Sequence, residues 1–201
     1  GVAVVDLRDD STPTLPDRNA LDLETVLRFR TERQLLGFRD LFLHPSGLLY
    51  LASSNPDGLY VVDTSALVDD DVATFSDLDA LAVLQSRDSV DDAGAPTQAR
   101  IGFSALAWVP AQDLLLATHF RDNSLSVFDL RRGAFGEEIA YLPRLCENPS
   151  SIAVHPAGTL AVIGCYLGDV IDETSHAELL LLDLRPDAPT YLQVTTRIVN
   201  R

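Results

Sequence analysis

The sequence has little positive charge. Its 201 residues include 30 aspartates and glutamates against 15 basic residues, all of them arginine, for a formal net charge of −15. Nucleic acids and anionic membrane surfaces bind clustered positive charge, so this balance argues against both as partners. A solvated surface from a GC-rich or salt-adapted genome explains the acidic excess. A calcium-rich extracellular protein is the alternative.

Long apolar runs and methionine are also missing. No stretch reaches the roughly 18 apolar residues that a membrane-spanning helix needs, so we expect no membrane span. Because the chain contains no methionine and therefore no initiator, we interpret it as a processed or excised piece whose targeting segment has already been removed. The lack of a signal peptide is then no evidence for the cytoplasm.

Cysteine occurs only twice, at Cys146 and Cys165. The two residues flank a predicted hairpin around residues 156–158, which would place Cys165 opposite the residues that follow Cys146. A disulfide needs Cα atoms within about 7 Å, and this register permits that separation. We therefore predict a disulfide, with two buried free thiols, a metal pair or a catalytic thiol as alternatives. A disulfide would place the protein in an oxidising compartment, extracellular, periplasmic or at the cell surface.

What the sequence does contain is one pattern that occurs three times. In each copy an apolar strand leads into a turn built on proline, a second apolar strand follows, and a third strand ends on aspartate. The copies extend from Phe38 to Asp63, from Phe103 to Asp129 and from Ser151 to Asp183. A repeat of this length built from short strands is typical of a β-propeller or a related radial array.

The repeat predicts an all-β fold, a β-propeller segment of about three and a half antiparallel four-stranded blades. We expect a single partial propeller over residues 1–201, with a half blade at 1–36 and whole blades at 37–100, 101–145 and 146–201. The fourth strands, predicted at residues 80–85, 138–142 and 191–199, are more polar because the outer strand of a blade lies at the rim. Residues 77–84 fit a helix as an alternative.

The polar residues that recur in every copy have structural explanations. Asp63, Asp129 and Asp183 resemble a catalytic set, but each ends a strand before a turn, where a carboxylate accepts local backbone N–H groups. His44 and His155 lie in hairpin turns on the opposite face from the candidate loops. We therefore predict structural roles for all five residues.

The pattern resembles the YVTN and lactonase-like β-propellers, and more distantly the WD-repeat and NHL propellers. The residues that carry the resemblance are His44-Pro45-Ser46-Gly47, His155-Pro156-Ala157-Gly158, Tyr60-Val61-Val62-Asp63 and Ser126-Val127-Phe128-Asp129. It covers about residues 37–199, and the second copy departs from it at residues 109–112. The resemblance implies a ring of about seven blades with a binding surface on one face around a central channel. This chain holds too few blades to close such a ring.

The candidate ligand-binding residues lie in the loops between second and third strands, which the resemblance places on that binding face. His119, beside Arg121 and Asp122, has the chemistry of a general base or an anion ligand, and a turn at residues 122–123 is the structural alternative. The corresponding loop of the third copy is about eight residues longer, and insertions on one face of a repeat often carry function. Its candidates are Tyr166, Asp169, Asp172, Glu173 and His176.

No metal or catalytic motif can be assigned. The carboxylates and histidine of the long loop match no established ligand spacing, so a solvated acidic loop is their alternative. The acidic run Asp69–Asp71 with Asp77 and Asp79 lacks the glycine and terminal glutamate of an EF-hand. A nucleophile elbow, a phosphate loop and a dinucleotide fingerprint are absent. We therefore assign no catalytic residue and no cofactor, with Ca²⁺ as the one alternative.

These observations favour a non-catalytic binding or scaffold module within a larger secreted or cell-surface protein. The alternative is a lactonase-like or other metal-assisted hydrolase with its site on the upper propeller face. The predicted partners are the remaining blades, supplied by the parent polypeptide or by a second chain, and a protein or small-molecule ligand. Because open blade faces expose apolar surface, we expect the isolated chain to aggregate or dimerise.

Overall fold

The computed structural model describes residues 2–5, 23–29, 38–54, 57–64, 77–78, 80–86, 102–166, 170–171, 174–175 and 177–199, and these contain strands and turns but no helix. No helix long and apolar enough to cross a membrane occurs in this part of the chain. The strands are β1 (Val2–Val5), β2 (Leu23–Phe29), β3 (Phe38–Leu43), β4 (Leu48–Ser54), β5 (Asp57–Asp63), β6 (Asp77–Leu78), β7 (Ala82–Leu84), β8 (Phe103–Val109), β9 (Leu114–His119), β10 (Ser124–Asp129), β11 (Glu137–Leu142), β12 (Pro149–Val154), β13 (Leu160–Cys165), β14 (Val170–Ile171), β15 (Thr174–Ser175), β16 (Glu178–Asp183) and β17 (Val194–Val199).

Three four-stranded antiparallel sheets dominate the structure. They have the strand orders β3-β4-β5-β7, β8-β9-β10-β11 and β12-β13-β16-β17, and we call them blade 1, blade 2 and blade 3. In each blade the strands follow one another in chain order. This arrangement confirms the predicted all-β class and the predicted antiparallel four-stranded blades.

The N-terminal strands differ in one respect from the predicted half blade. β1 and β2 pair antiparallel, as a third and a fourth strand of a blade would. β6 then adds to β2 in parallel, through the pairs Arg28↔Asp77 and Phe29↔Leu78. The described residues between 77 and 84 are strand or irregular and none is helical, so the helical alternative for them is wrong. A parallel pair between distant segments leaves no periodic signal in either of them.

Proline-containing turns and strand-ending aspartates delimit the strands as predicted. Gly47 and Gly158 have φ angles of +87° and +68°, a left-handed conformation that glycine adopts without a steric penalty. Asp129 and Asp183 each accept a hydrogen bond from the backbone N–H two residues later. Arg185, and then Thr190, also donate to Asp183, and these bonds hold the pKa of its carboxyl well below the ordinary range.

The core lies between the blades rather than within any one of them. One buried cluster joins blades 1 and 2 through Tyr50, Ala52, Leu59 and Val61 on one side and Phe103, Leu106, Leu115, Ala117 and Phe128 on the other. A second joins blades 2 and 3 through Val109, Leu114, Leu116, Leu125, Val127, Leu145, Cys146, Ala161, Ile163, Cys165, Leu180, Leu182 and Leu184. Burial of each large apolar side chain contributes about 1.5–3 kcal/mol, so the blades stabilise one another.

Blade 2 shows how this packing determines the sequence pattern. Every residue of β9 and β10 is buried, because one side of the sheet packs on blade 1 and the other on blade 3. These strands therefore read as nearly continuous apolar runs. In β3 of blade 1, half-buried and exposed residues alternate instead.

Candidate functional site

His119 is the last residue of β9 and is fully buried, rather than displayed in the loop that follows. Its Nε2 lies 2.8 Å from Oγ of Ser126 on the neighbouring strand β10. The Ser126 hydroxyl in turn donates to Oε1 of Glu138 on β11 at 2.5 Å. The three polar side chains thus form a chain of hydrogen bonds across three strands of blade 2.

The direction of these bonds determines the state of the histidine. A hydroxyl carries one proton, and Ser126 gives it to Glu138, so Nε2–H of His119 must be the donor to Ser126. Burial lowers the pKa of His119 to about 3, which keeps the ring neutral near pH 7. Nδ1 has no hydrogen-bond partner among the described residues. In this arrangement the histidine acts as a buried donor that ties strands together.

The other two candidates of this loop have separate environments. Asp122 accepts hydrogen bonds from the hydroxyls of Ser124 at 2.6 Å and Tyr141 at 2.5 Å, which is the bonding of a turn. Arg121 is exposed, and its guanidinium carbon lies 5.2 Å from the centre of the Phe120 ring. Arg39 of blade 1 lies 5.0 Å from the same ring. Two arginines, one from the loop and one from blade 1, therefore lie against one aromatic side chain.

The long loop of blade 3 is described only in part. Tyr166 is 74% exposed at its start, and β14 and β15 form a two-residue ladder inside it. Asp169, Asp172, Glu173 and His176 lie outside the described residues, so their role as ligands stays a prediction. The acidic run Asp69–Asp71 also lies outside them.

The two cysteines form a disulfide, as predicted, with their Cα atoms 6.1 Å apart. Cys165 ends β13. In the strand register its backbone lies opposite Pro149 of β12 on one side and opposite Glu178 of β16 on the other. Glu178 is 2% exposed and accepts a hydrogen bond from Arg197 at 2.5 Å. Among the described residues, the two sulfurs and this carboxylate are the only group of three potential metal ligands.

In blades 1 and 2, the side chain six residues before the strand-ending aspartate accepts hydrogen bonds from the start of the next blade. In blade 1 the carboxylate of Asp57 accepts from the backbone N–H groups of Gly102 and Phe103, where blade 2 begins. In blade 2 the side chain of Asn123 accepts from the N–H of Asn148, just before β12. Ala177 occupies this position in blade 3 and offers no side-chain acceptor.

Blade 3 has one sheet face that no described residue covers, which we call the open face. Leu179 of β16 and Ile198 of β17 are paired there and are 46% and 50% exposed. Val162 and Leu181 form the next pair along the same face and are half-buried. A pocket of about 620 Å³ beside Leu179 and Ile198 extends to Tyr166 at the loop.

Sequence reasoning missed the partners of the candidate residues. Ser126 and Glu138 form the hydrogen-bond chain that ends at His119. Glu178, with its partner Arg197, lies beside the disulfide. One signal was available, because Ser126 interrupts an apolar third strand where blade 3 has Leu180. Glu138 and Arg197 are charged residues of outer strands, where charge is ordinary, so their sequence positions are uninformative.

Comparison with known proteins supports the fold. No family model and no curated protein matches the chain. Among solved structures, Kuenenia stuttgartiensis hydrazine synthase is similar with a TM-score of 0.54 at 17% identity, over 85% of this chain and 38% of that one. A WD40 domain of Toxoplasma gondii coronin matches with a TM-score of 0.42 at 11% identity, over 81% of this chain and 47% of that one. The chain thus spans less than half the length of either structure.

The first of these similarities extends over most of the chain, and three blades of identical strand order pack face to face through two apolar clusters. The chain is an all-β segment of a β-propeller.

Proposed function

We propose that this chain is a non-catalytic scaffold and binding module whose blade 3 docks a further blade of the same propeller. The observation that carries the proposal is the different exposure of one repeated leucine. Leu59, Leu125 and Leu179 each lie four residues before a strand-ending aspartate. Leu59 and Leu125 are 0% exposed, whereas Leu179 is 46% exposed.

The two covered leucines show what covers this position. Leu59 packs in the cluster shared with blade 2, and Leu125 packs in the cluster shared with blade 3. In both cases the next blade along the chain buries the residue. By continuity of these interfaces, the open face of blade 3 fits the next blade. Contiguous exposed apolar surface of this kind is typical of interaction sites.

The residues at or just before the first strand of a blade indicate what would occupy the pocket on the open face. Phe103, at the start of β8, is 0% exposed and packs in the cluster that contains Leu59. Leu145, which precedes β12, is 4% exposed and packs in the cluster that contains Leu125. A bulky apolar residue at the start of another inner strand would occupy the same place beside Leu179.

The candidate residues agree with a scaffold role more than with chemistry. His119 is neutral and hydrogen-bonded to Ser126, while Asp122 is hydrogen-bonded to Ser124 and Tyr141.

The binding surface would then be the exposed loop surface around Phe120 with Arg39 and Arg121, which suits an anionic partner group. A secreted or cell-surface location agrees with the disulfide, since such bonds persist in oxidising compartments.

Light scattering after size exclusion tests the open face. The isolated 201-residue chain is expected to self-associate, because the apolar face has no other cover. Leu179→Arg should shift the chain towards monomer by placing a charge at the centre of that face. Ala157→Arg adds the same charge at an exposed turn of blade 3 and should leave the association unchanged.

Two outcomes would contradict the proposal. A chain that stays monomeric at all concentrations, with Leu179 protected from solvent, would mean that the face is already covered within the chain. Equal effects of Leu179→Arg and Ala157→Arg would mean that the association is a general effect of charge.

A further inference from the structure

Three buried side chains meet where the chain passes from blade 2 to blade 3. The sulfurs of Cys146 and Cys165 and a carboxylate oxygen of Glu178 lie within 4.8 Å of one another. The exposed fractions of the three residues are 8%, 3% and 2%. Thiolate and carboxylate groups are both ordinary zinc ligands, and three protein ligands leave a fourth position for water.

The carboxylate supplies a second, independent observation that points to a cation. Oε2 of Glu178 accepts a hydrogen bond from Arg197 at 2.5 Å, whereas Oε1 has no partner in the described part of the chain. A buried acceptor without a partner is unfavourable, and each such group in a folded protein needs an explanation. A cation bound at Oε1 would satisfy it while Arg197 keeps Oε2.

Hydrogen bonds to neighbouring backbone groups hold both cysteines in place independently of the disulfide. Before Cys146, the N–H of Leu145 donates to the carbonyl of Asn123 at 2.6 Å, and Arg197 donates to the carbonyl of Leu145 at 2.9 Å. After Cys165, the N–H of Tyr166 donates to the carbonyl of Asn148 at 3.1 Å. The ligand atoms would therefore stay close together after reduction of the disulfide.

We propose that Cys146, Cys165 and Glu178 bind a zinc ion when the disulfide is reduced. The same three residues then form a covalent bond under oxidising conditions and a metal site under reducing ones. Zinc bonds of about 2.3 Å to sulfur and about 2.1 Å to oxygen require ligand atoms roughly 3.5 Å apart, which rotation of the cysteine side chains can supply. The pocket of about 620 Å³ that borders Cys165 and Glu178 gives the ion a path of entry.

The redox step balances with a dithiol as the reductant. The dithiol transfers two electrons and two protons, the Cys146–Cys165 bond breaks, two thiols form, and the reductant becomes a disulfide. Zinc binding then releases two protons, because the ligands are thiolates. The charges at the site sum to zero in each state, since two thiolates and one carboxylate balance Zn²⁺ and the partly exposed guanidinium of Arg197. Burial without net charge favours such a site.

The test uses the full chain and zinc alone as the probe. The chain is reduced with a dithiol, incubated with zinc, desalted under reducing conditions and analysed for metal. We expect one zinc ion per chain in the reduced protein and none in the oxidised protein. Cobalt in place of zinc should give a thiolate-to-metal charge-transfer absorption, which reports the sulfur ligands directly.

Variants separate the three ligands from general effects. Cys146→Ser/Cys165→Ser should abolish zinc retention, and Glu178→Gln should still form the disulfide but bind zinc at least about tenfold more weakly. Glu137→Gln, at an exposed glutamate of β11, is the matched control and should bind as the wild type does. Equal zinc affinity of Glu178→Gln and wild type overturns the proposal.

The state of the reduced chain is followed by circular dichroism. A reduced wild-type chain that stays folded and retains no more zinc than the double serine variant overturns the proposal. A chain that unfolds on reduction should refold when zinc is added, and failure to refold also overturns it. The pocket on the open face supplies only the path of entry, and no exposed residue of that face is a ligand. A failure to bind zinc would therefore leave the proposed docking of a further blade untouched.

Discussion

Blades 2 and 3 share their strand order but use one position of the repeat in different ways. The last residue of the second strand is His119 in blade 2 and Cys165 in blade 3, and both are buried. His119 joins a chain of hydrogen bonds that crosses its own blade, whereas Cys165 is bonded covalently to Cys146 ahead of the blade. The repeat determines where in a blade a residue lies, but the side chains of neighbouring strands determine which bonds it forms.

The two blades also differ in what covers them. Blade 2 packs on both sides, and all residues of its two central strands are buried. Blade 3 packs on blade 2 through Ile163, Leu180 and Leu182, while Leu179 and Ile198 on its other side are exposed. Equivalent residues should therefore contribute unequally to stability.

The largest expected effect comes from the same substitution, leucine to alanine, at two equivalent positions of blades 2 and 3. It compares their contributions to the free energy of unfolding. Leu125→Ala should lower the free energy of unfolding by about 2–5 kcal/mol, because it removes a fully buried side chain and leaves a cavity. Leu179→Ala should cost less than about 1 kcal/mol, because that side chain is already half in water. Urea unfolding at dilute concentration measures both. Equal losses would mean that the open face is covered in solution.

The disulfide of blade 3 should contribute the next largest effect. Cys146→Ser/Cys165→Ser is expected to destabilise the chain by about 3 kcal/mol, since the bond closes a loop of roughly 20 residues in the unfolded chain. Unfolding is measured with a metal chelator present, which keeps zinc from compensating. In hydrogen exchange, the amide protection of β12 and β13 should decrease before that of other strands. A uniform loss across blades 2 and 3 would contradict a local role for the bond.

The buried histidine of blade 2 predicts a dependence on pH. Burial lowers the pKa of His119 from 6.5 to about 3. Between these two pH values the ring is protonated in the unfolded chain and neutral in the folded chain. Stability should therefore fall as the pH drops, by up to about 1.4 kcal/mol per unit and by about 2 kcal/mol in all between pH 7 and pH 5. The lowered pKa of Asp183 also removes stability on acidification, but only below the ordinary carboxyl range.

The matched variant for this measurement is His119→Gln, which removes the titrating ring. Its free energy of unfolding should change by about 2 kcal/mol less than that of the wild type over the same interval. Denaturant titrations at pH 7 and pH 5 for both proteins isolate the contribution of His119. The same pH dependence in wild type and variant would show that the ring is accessible to protons in the folded state.

The smallest predicted effect concerns one of the hydrogen bonds that join blade 2 to blade 3. Asn123→Gly should cost about 1 kcal/mol, because it removes the acceptor for the N–H of Asn148. Glycine is the suitable replacement since Asn123 has a φ of +62°. Ala177→Gly, at the equivalent position in blade 3, removes no hydrogen bond of its side chain. A loss for Ala177→Gly as large as that for Asn123→Gly would contradict a linking role.

Much of the blade architecture was predictable because its signals are local. Pro45, Pro110 and Pro156 mark the ends of inner strands, and Asp129 and Asp183 bond to backbone N–H groups two residues later. Such interactions depend on a few consecutive residues, so they recur between copies of the repeat. The disulfide was predictable for the same reason, since one hairpin register brings both cysteines together.

The candidate site was less predictable. His119 has the sequence position of a loop residue, yet it ends a strand and is covered by Phe103, whose ring centre lies 4.4 Å away. The pairing of β2 with β6 likewise joins residues about 50 positions apart in the chain. No local pattern encodes either contact.

The sequence by itself determined the main strands of the three blades and their repetition, because turn chemistry and apolar patterning act over a few residues. Only the tertiary structure decided that Leu125 is buried and Leu179 exposed, that His119 is neutral, and that a free oxygen of Glu178 lies beside two sulfurs. These properties arise from desolvation by neighbouring strands and blades. Desolvation depends on which distant segments pack together, and equivalent positions in a repeat cannot reveal it.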